Sequence, residues 1–175
     1  MTRVVAVTGR FQPPHRQHME LFDRALVSGG RLVVAVTNPD AAARRPDPAS
    51  VHRHTAEANP FTFYERARLL QAALAERGAD GRTTIVPFDL TRPERFAEYV
   101  PLEALQLVRA FGEWEHRKAR LLRDAGYAVA VLEGDPARRV SASEVRRLLC
   151  DGDDAWRDLV PAATVALLEE LGAGR

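Results

Sequence analysis

One short segment combines a glycine, an arginine, prolines and two histidines in a pattern that suits an anionic ligand. It reads Gly9-Arg10-Phe11-Gln12-Pro13-Pro14-His15-Arg16-Gln17-His18, between a predicted strand and a predicted helix. Gly9 lets the backbone approach a ligand closely, and His15 and His18, three residues apart, share one face of the helix start. Two imidazoles at a helix N-terminus, beside Arg10, form a compact set of donors for a phosphate. Alternatively, they are two surface histidines at an ordinary strand-to-helix turn.

A second segment, Val140–Leu149, carries serines and arginines at another predicted helix start. Ser141 or Ser143 can cap this helix, which makes a plain N-cap the simpler interpretation. The other interpretation is a second phosphate site, built from hydroxyl and backbone N–H groups with Arg146 reaching back. Neither of the common glycine-rich phosphate loops, G-x-G-x-x-G and G-x-x-x-x-G-K-[ST], occurs in the chain.

The elements that must position these segments alternate along the chain, as in an α/β protein with a parallel sheet. The predicted strands are Val4–Thr8, Leu32–Thr37, Thr83–Pro87, Leu105–Arg109 and Tyr127–Leu132. The predicted helices are His18–Val27, Thr62–Arg77, Trp114–Ala125, Ser143–Cys150 and Ala162–Leu171. Both segments follow strands at their carboxyl ends, where open α/β sheets bind ligands.

Two irregular stretches also follow predicted strands, and we expect them to contribute to ligand binding. The loop 38–59 contains three prolines and several basic residues, and long loops in compact domains are functional or disordered. The connection Leu90–Glu103 carries Phe96. The chain of 175 residues is expected to form a single domain, 1–175, with a helical C-terminal end at 153–172.

Composition excludes several classes of protein. Lys and Arg number 25 against 24 Asp and Glu, a balance that disfavours a dedicated DNA-binding protein. The one cysteine, Cys150, excludes an internal disulfide framework and a multi-cysteine metal site. The apolar runs are too short for a membrane span or a signal peptide. We therefore expect a cytoplasmic protein without nucleic-acid or membrane partners, and we expect a homo-oligomer.

Four motifs together resemble one enzyme superfamily. Gly9–His18 resembles the G-R-F-Q-P-x-H-x-G-H signature of nucleotidyltransferases, and Ser141–Arg146 resembles their S-x-T-x-x-R signature. Asn59–Arg66 is similar to the N-P-F-T-x-x-E-R element of the archaeal-type nicotinamide mononucleotide (NMN) adenylyltransferases, and Trp156–Pro161 to their W-x-x-L-V-P element. The resemblance spans almost the whole chain.

The resemblance implies a Rossmann-like three-layer αβα fold with about five parallel strands, and an enzyme that works on a Mg²⁺-bound nucleoside triphosphate. An acceptor phosphate oxygen attacks the α-phosphorus, and pyrophosphate leaves. The implied catalytic residues are Arg10, His15, His18 and Arg146, and the implied nucleotide-binding residues are Gly9, Phe11, Gln12, Ser141 and Ser143. No side chain of the chain is expected to act as a metal ligand.

The acceptor side departs from the family pattern. Phe96 falls where the family commonly has a tryptophan, and Gly112–Arg117 replaces its S-x-N-P-L patch. Gln17 stands at the glycine between the two histidines, where its side chain could crowd the nucleotide. The expected acceptor contacts are Arg44, Arg45, Phe96, Trp114 and Arg117. Two activities follow: NMN adenylyltransferase, or a CTP-dependent enzyme that activates a small phosphonate.

Other interpretations stay open at this point. Phe96 and Trp114 could be packing residues, and the segment Glu113–Lys118 could be a solvated helix start. Arg44 and Arg45 could be ordinary loop charges. A non-catalytic nucleotide sensor is a further possibility, since Gln17 interrupts the signature. A zinc site is another, and it would draw on His15, His18, His52 and His54.

Overall fold

A five-stranded parallel sheet forms the centre of the fold. The structure, a computed structural model, describes residues 3–48 and 50–172. The strands are β1 (Val4–Gly9), β2 (Arg31–Thr37), β3 (Thr83–Phe88), β4 (Leu105–Ala110) and β5 (Val129–Glu133). Their order is β3-β2-β1-β4-β5, and every neighbouring pair is parallel. The predicted α/β class and strand number are confirmed.

Helices follow the strands, as the apolar periodicity predicts. They are α1 (Arg16–Gly29), α2 (Phe63–Glu76), α3 (Glu113–Asp124), α4 (Ala142–Asp151) and α5 (Val165–Gly172). Helix α1 begins two residues before the predicted start, because the carbonyl of His15 already accepts the first helical hydrogen bonds. Within the described ranges, no helix is long and apolar enough to cross a membrane.

The sheet is covered on both faces, which makes the fold three-layered. Side chains alternate along each strand, so Val5 and Val7 pack in the same apolar cluster as Phe22 of α1. Ala6 points to the opposite face, where it belongs to a second cluster with Leu122 of α3. Strands that are buried on both faces consist of continuous apolar runs, and the sequences of β1 and β2 show this pattern.

A third apolar cluster explains two of the family motifs as structural elements. Phe61 precedes α2, Trp156 and Val160 lie in the helical C-terminal end, and all three are buried in this cluster. Leu168 of α5 completes it. The N-P-F-T and W-x-x-L-V-P elements therefore pack against one another and hold the C-terminal end on α2.

The sheet order creates a crevice beside β1. The chain passes from β1 to β2 on one side, whereas β4 lies on the other side of β1. At such a switch point the connections diverge and leave room for a ligand at the carboxyl ends of the strands. The first turns of α1, α3 and α4 surround this crevice. Their exposed N–H groups and helix dipoles favour an anion there.

Arg66 of α2 binds the backbone of the loops that follow β1 and β2. Its side chain is fully buried, and its guanidinium donates to the carbonyls of Thr37, Asn38 and Arg10 at 2.7, 2.8 and 2.9 Å. A fourth bond reaches the carbonyl of Thr62 at 3.2 Å. One side chain thus fixes the ends of β1 and β2 relative to the start of α2.

Replacing Arg66 with leucine is expected to lower the free energy of unfolding by about 3–5 kcal/mol, because several buried carbonyls lose their donor. Urea unfolding measures this change. Arg68→Leu on the same helix is the matched control, since its guanidinium is partly exposed and lies 3.8 Å from Glu170; we expect a change below about 1 kcal/mol. Equal losses in the two variants would contradict the role given to Arg66.

Candidate functional site

A cavity of about 180 Å³ fills the crevice at the carboxyl ends of β1 and β4. It gathers most of the donor-site residues predicted from the two nucleotidyltransferase-like motifs. These are Gly9, Arg10, Phe11, Gln12, His15, His18, Ser141 and Ser143. Arg146 lies behind this wall and reaches it through hydrogen bonds. Segments that are about 130 residues apart in sequence thus form one site.

The two histidines form a stacked pair at the start of α1. Their ring centroids lie 3.6 Å apart, and the ring of Phe11 packs edge-on against His18 at 4.8 Å. The backbone N–H of His15 donates to Nδ1 of His18 at 3.1 Å. A neutral His18 therefore carries its proton on Nε2, which leaves that nitrogen as the donor toward a ligand.

Both imidazoles are neutral at neutral pH. Burial, together with the nearby guanidinium of Arg139, lowers the pKa of His15 to about 3. Burial also lowers the pKa of His18 well below its usual value, and His15 and Lys118 act in the same direction. An arriving phosphate would oppose both effects, because a nearby negative charge favours the protonated imidazole.

The neutral histidines predict a loss of stability in acid. In the unfolded chain a histidine binds a proton below about pH 6.5, whereas His15 in the folded protein stays neutral down to about pH 3. Stability is therefore highest above pH 6.5 and falls as the pH drops toward 3. The free energy of unfolding should therefore fall between pH 7.5 and 5.0, and we expect this fall to be about 1–2 kcal/mol smaller in His15→Asn than in the wild type.

Urea unfolding at the two pH values measures this difference between wild type and variant. His52→Asn is the control, because it is the same substitution at an exposed histidine outside this cavity. The same pH dependence in wild type and His15→Asn would show that His15 is not held neutral.

The loop between β1 and α1 is shaped by Phe11 and Gln12. Phe11 is buried with a positive φ of 52°, and its ring leaves no room for a side chain at position 9, where a Cβ would lie 2.9 Å away. The amide of Gln12 exchanges two hydrogen bonds of 2.9 Å with the backbone of Phe61. Gln12 therefore offers the cavity its backbone, while its side chain anchors the loop.

The start of α4 combines a cap with a bridge to the first motif. Ser141 caps the helix by accepting from the N–H of Glu144 at 3.1 Å, so the simple N-cap interpretation is correct for this serine. Arg146 donates to Oγ of Ser143 at 3.1 Å and to the carbonyl of Gln12 at 2.6 Å. This bridge holds the two motifs together across the cavity.

Four further cations line the cavity. They are Arg53, Arg109, Lys118 and Arg139. Arg53 is one of the arginines that the sequence suggests for a small anionic acceptor, whereas sequence reasoning did not place the other three at the site. Nζ of Lys118 donates to the carbonyl of Thr8 at the end of β1, at 2.8 Å. Lys118 follows β4 on the first turns of α3, so the rule that ligands bind at helix starts after strands could have found it. The sequence reasoning instead allowed for a solvated helix start.

Burial and neighbouring positive charges both lower the pKa values of cavity residues. Burial, followed by repulsion from Arg53, lowers the pKa of Arg10 to about 9. The same two causes lower the pKa of Lys118 to about 8. Glu115 offsets part of this charge: its carboxylate accepts from Arg139 at 3.1 Å and lies 3.8 Å from Arg53. The cavity remains suited to a polyanion.

A second cavity of about 270 Å³ adjoins the first. Arg10, Arg53 and Lys118 line both cavities, so they lie between them. Three predicted acceptor residues line the second cavity. These are Arg45, Trp114 and Arg117. Across it the guanidinium of Arg117 pairs with Asp47 of the long loop at 2.9 Å.

Two other predicted acceptor residues lie elsewhere. Phe96 is buried in the core under α3, and its ring packs 4.5 Å from that of Phe88. Its exposed fraction is 2%, and it borders a third cavity, of about 610 Å³, that Arg45 also lines; it does not line the cavity beside the donor site. Arg44 lines neither of the first two cavities. Burial lowers the pKa of Arg66, and the positive charge of Arg44 acts in the same direction.

The long loop 38–59 folds back toward the cavities rather than extending away from them. The amide of Asn59 donates to the carbonyls of Arg53 and Thr55 at 2.7 and 2.8 Å, and Asn38 donates to the same Arg53 carbonyl at 3.0 Å. These two amides hold the backbone of Arg53 in place. The loop thereby delivers the Arg53 side chain to the wall between the cavities.

Metal ligands are scarce around the site. Across residues 3–48 and 50–172, no group of three or more His, Cys, Asp or Glu side chains could hold a metal ion, so the zinc interpretation lacks a ligand set. Glu115 is already engaged by arginines. The described residues around the cavity therefore fit a magnesium ion whose ligands are mainly the oxygens of a triphosphate, which is a common mode of Mg²⁺ binding.

Comparison with known proteins identifies relatives of this architecture. Residues 6–149 match the family model "Cytidylyltransferase-like". A phosphonoformate cytidylyltransferase from Streptomyces viridochromogenes is 35% identical, over 95% of this chain and 90% of that protein. A nicotinamide-nucleotide adenylyltransferase from Pyrobaculum neutrophilum is 32% identical, over 94% of this chain and 86% of that protein.

Solved structures show the same fold. A bifunctional NMN adenylyltransferase/ADP ribose pyrophosphatase from Francisella tularensis superposes with a TM-score of 0.65 at 15% identity. The match covers 99% of this chain and 52% of the bifunctional protein, so this chain spans about half of its length. The same bifunctional protein has been crystallised with AMP and a manganese ion. With both nucleotidyltransferase motifs assembled at one cavity, this chain belongs to the cytidylyltransferase-like family and is a nucleotidyltransferase.

Proposed function

We propose that the enzyme transfers CMP from CTP to a small phosphonate or phosphate and releases pyrophosphate. An oxygen of the acceptor attacks the α-phosphorus, and a new P–O bond forms. The bond between the α-phosphorus and the bridging oxygen breaks, and its electrons leave with pyrophosphate. The acceptor needs no general base, because phosphonates and phosphates are already ionised at neutral pH. The proposal rests on the cationic cavity that adjoins the histidine site.

That second cavity supports a small anion as the acceptor. The guanidinium groups of Arg10, Arg53 and Arg117 line it, together with the ammonium of Lys118. Guanidinium groups bind phosphate and carboxylate oxygens through two parallel hydrogen bonds. The cavity shares a wall with the donor site, so an acceptor there lies beside the α-phosphate of a bound nucleotide. Positioning of this kind supplies much of the rate in phosphoryl transfer.

The aromatic residues do not provide an obvious site for a nicotinamide ring. Arg53 covers one face of Trp114, with its guanidinium carbon 4.5 Å from the ring centroid. Phe96 is buried in the core. NMN adenylyltransferase remains the second candidate, because Trp114 does line the acceptor cavity and relatives with that activity are 27–32% identical.

In the proposed reaction each donor-site residue has a distinct task. Neutral His18 donates from Nε2 to an oxygen of the α-phosphate, where negative charge develops. Ser143 binds the β- and γ-phosphates as they become pyrophosphate, and Arg146 positions its hydroxyl and supplies positive charge behind it. A magnesium ion carried by the triphosphate would neutralise part of its negative charge. Lys118, fixed against the carbonyl of Thr8, stabilises charge between donor and acceptor.

Arg117 tests the acceptor half separately from the donor half, because it lines only the second cavity. We expect Arg117→Ala to raise the KM for the acceptor about tenfold and the KM for the nucleotide less than twofold. Arg120→Ala on the same helix is the matched control. Arg120 is also exposed and paired with a carboxylate, that of Glu113, but it lines neither cavity.

Steady-state kinetics with pyrophosphate detection, varying one substrate at a time, measures both constants. A larger increase in the nucleotide KM than in the acceptor KM would place the nucleotide in the second cavity and contradict the proposal. An equal increase in the acceptor KM in Arg117→Ala and Arg120→Ala would show that Arg117 acts only through the general surface charge and does not bind the acceptor.

A further inference from the structure

Gln17 lies between the two histidines of the donor site and bonds to the opposite wall of the cavity. Its Oε1 accepts from the backbone N–H of Val140 at 2.9 Å, and its Nε2 donates to the carbonyl of Arg138 at 2.8 Å. Because an N–H must meet the oxygen and a carbonyl must meet the nitrogen, the orientation of the amide is fixed. The side chain therefore spans from α1 to the loop that precedes α4.

The two backbone groups that bond to Gln17 are a donor, the N–H of Val140, and an acceptor, the carbonyl of Arg138, two residues apart in sequence. An amidine edge, such as N1 with the exocyclic amine of adenine or N3 with the exocyclic amine of cytosine, offers the same acceptor and donor as a primary amide. Gln17 thus satisfies two groups that could otherwise pair with a nucleobase. Any base bound at this wall has to fit beside the glutamine or displace it.

The lining of the cavity favours a base near this glutamine. Arg10, Arg53 and Lys118 also line the second cavity and so mark the side nearest to it, whereas Leu21, Phe111 and Val140 supply apolar lining. Two cations border this apolar lining: the guanidinium of Arg139 lies 5.2 Å from the ring centroid of Phe111, and Arg109 donates to the carbonyl of Gln17 at 3.3 Å. A triphosphate is stabilised by the cationic part, and the flat, weakly polar base is better placed against apolar side chains. Val140 both lines the cavity and donates to Gln17, so the glutamine amide borders the space left for the base.

We infer that Gln17 selects a pyrimidine over a purine nucleotide in this enzyme. The tethered side chain reduces the width of the base site, and its two hydrogen bonds to Arg138 and Val140 hold it there. A six-membered ring fits beside it, whereas a fused double ring requires the amide to leave and both of its hydrogen bonds to break. The inference deepens the proposed use of CTP and rests on that proposal.

Shortening Gln17 should admit ATP. We expect Gln17→Ala to lower the ratio of the dissociation constant for ATP to that for CTP about tenfold, mainly through tighter ATP binding; steric pockets commonly discriminate by 10–200-fold. Isothermal titration calorimetry without acceptor measures both constants. Gln17→Ser is a second variant with the same expectation, in case alanine disturbs the start of α1. Gln71→Ala is the matched control, since Gln71 is an exposed glutamine on α2, outside the cavity.

The test separates this inference from the proposed function. The proposed CTP donor is judged by wild type alone, and tighter binding of ATP than of CTP would contradict it. The role of Gln17 is judged by how much the ratio of the ATP to the CTP dissociation constant differs between the wild type and each variant. A change below about threefold in both folded variants, or an equal change in Gln71→Ala, overturns the role of Gln17.

Discussion

Replacing His18 with alanine is expected to lower kcat by about 10²–10³, the usual cost of losing one donor to a developing charge. The stacked His15 and the edge of Phe11 fix the imidazole, and Nδ1 is occupied by the backbone N–H of His15. The remaining nitrogen, Nε2, is therefore the donor toward the α-phosphate. The KM for the nucleotide should change much less, because this hydrogen bond strengthens only as charge develops.

Single-turnover rates of pyrophosphate release test this expectation without interference from product dissociation. His116→Ala is the matched control, since His116 lies on α3 outside both cavities of the site and pairs with Glu133. A near-wild-type kcat for His18→Ala would show that the motif is not the catalytic centre. If His116→Ala lowered the rate as much as His18→Ala, the loss of activity would come from a disturbed fold and not from the missing donor.

Arg146→Ala is expected to lower kcat/KM by about 10²–10³, whereas Arg147→Ala should stay within about twofold of wild type. Arg146 bridges Ser143 and the carbonyl of Gln12, so its loss removes a cation beside the leaving group and loosens the contact between the two motifs. Arg147, one residue later, points away around the helix and pairs with Asp151 at 3.0 Å on the surface.

The pair is informative because both variants lose one charge from the same helix. Steady-state kinetics with each nucleotide measures kcat/KM, and thermal unfolding confirms that both variants fold. A reversed order, with Arg147→Ala the more damaging variant, would mean that the register of the second motif on α4 has been assigned wrongly.

The donor half of the site could be predicted because its residues are close together in sequence. His15 and His18 lie within one helix turn, and Ser141 to Arg146 lie at the start of another helix. Residue type and spacing alone left a plain turn and a plain N-cap open, and the resemblance to the nucleotidyltransferase signatures assigned both segments to the donor site. The positions of the two segments relative to the sheet followed from the apolar periodicity of strands and helices. The carboxyl ends of parallel strands then placed both segments at one edge.

The remaining site residues depend on contacts that no local pattern encodes. Arg53 reaches the wall between the cavities because Asn38 and Asn59 hold its backbone, a network that spans 21 residues of irregular loop. Lys118 reaches the carbonyl of Thr8 across 110 residues. Phe96 was expected at the acceptor site by its place along the chain; it packs against Phe88 and lines a different cavity from Trp114 and Arg117.

The release of pyrophosphate by the wild-type enzyme tests the central claim most directly. CTP and ATP are each combined with phosphonoformate, as a small phosphonate, and with NMN, and kcat/KM is measured for all four pairs. The cationic acceptor cavity predicts that CTP with phosphonoformate exceeds ATP with NMN at least about tenfold. Efficient NAD synthesis from ATP and NMN, with kcat/KM of about 10⁴ M⁻¹s⁻¹ or above and no turnover of the phosphonate, would contradict it.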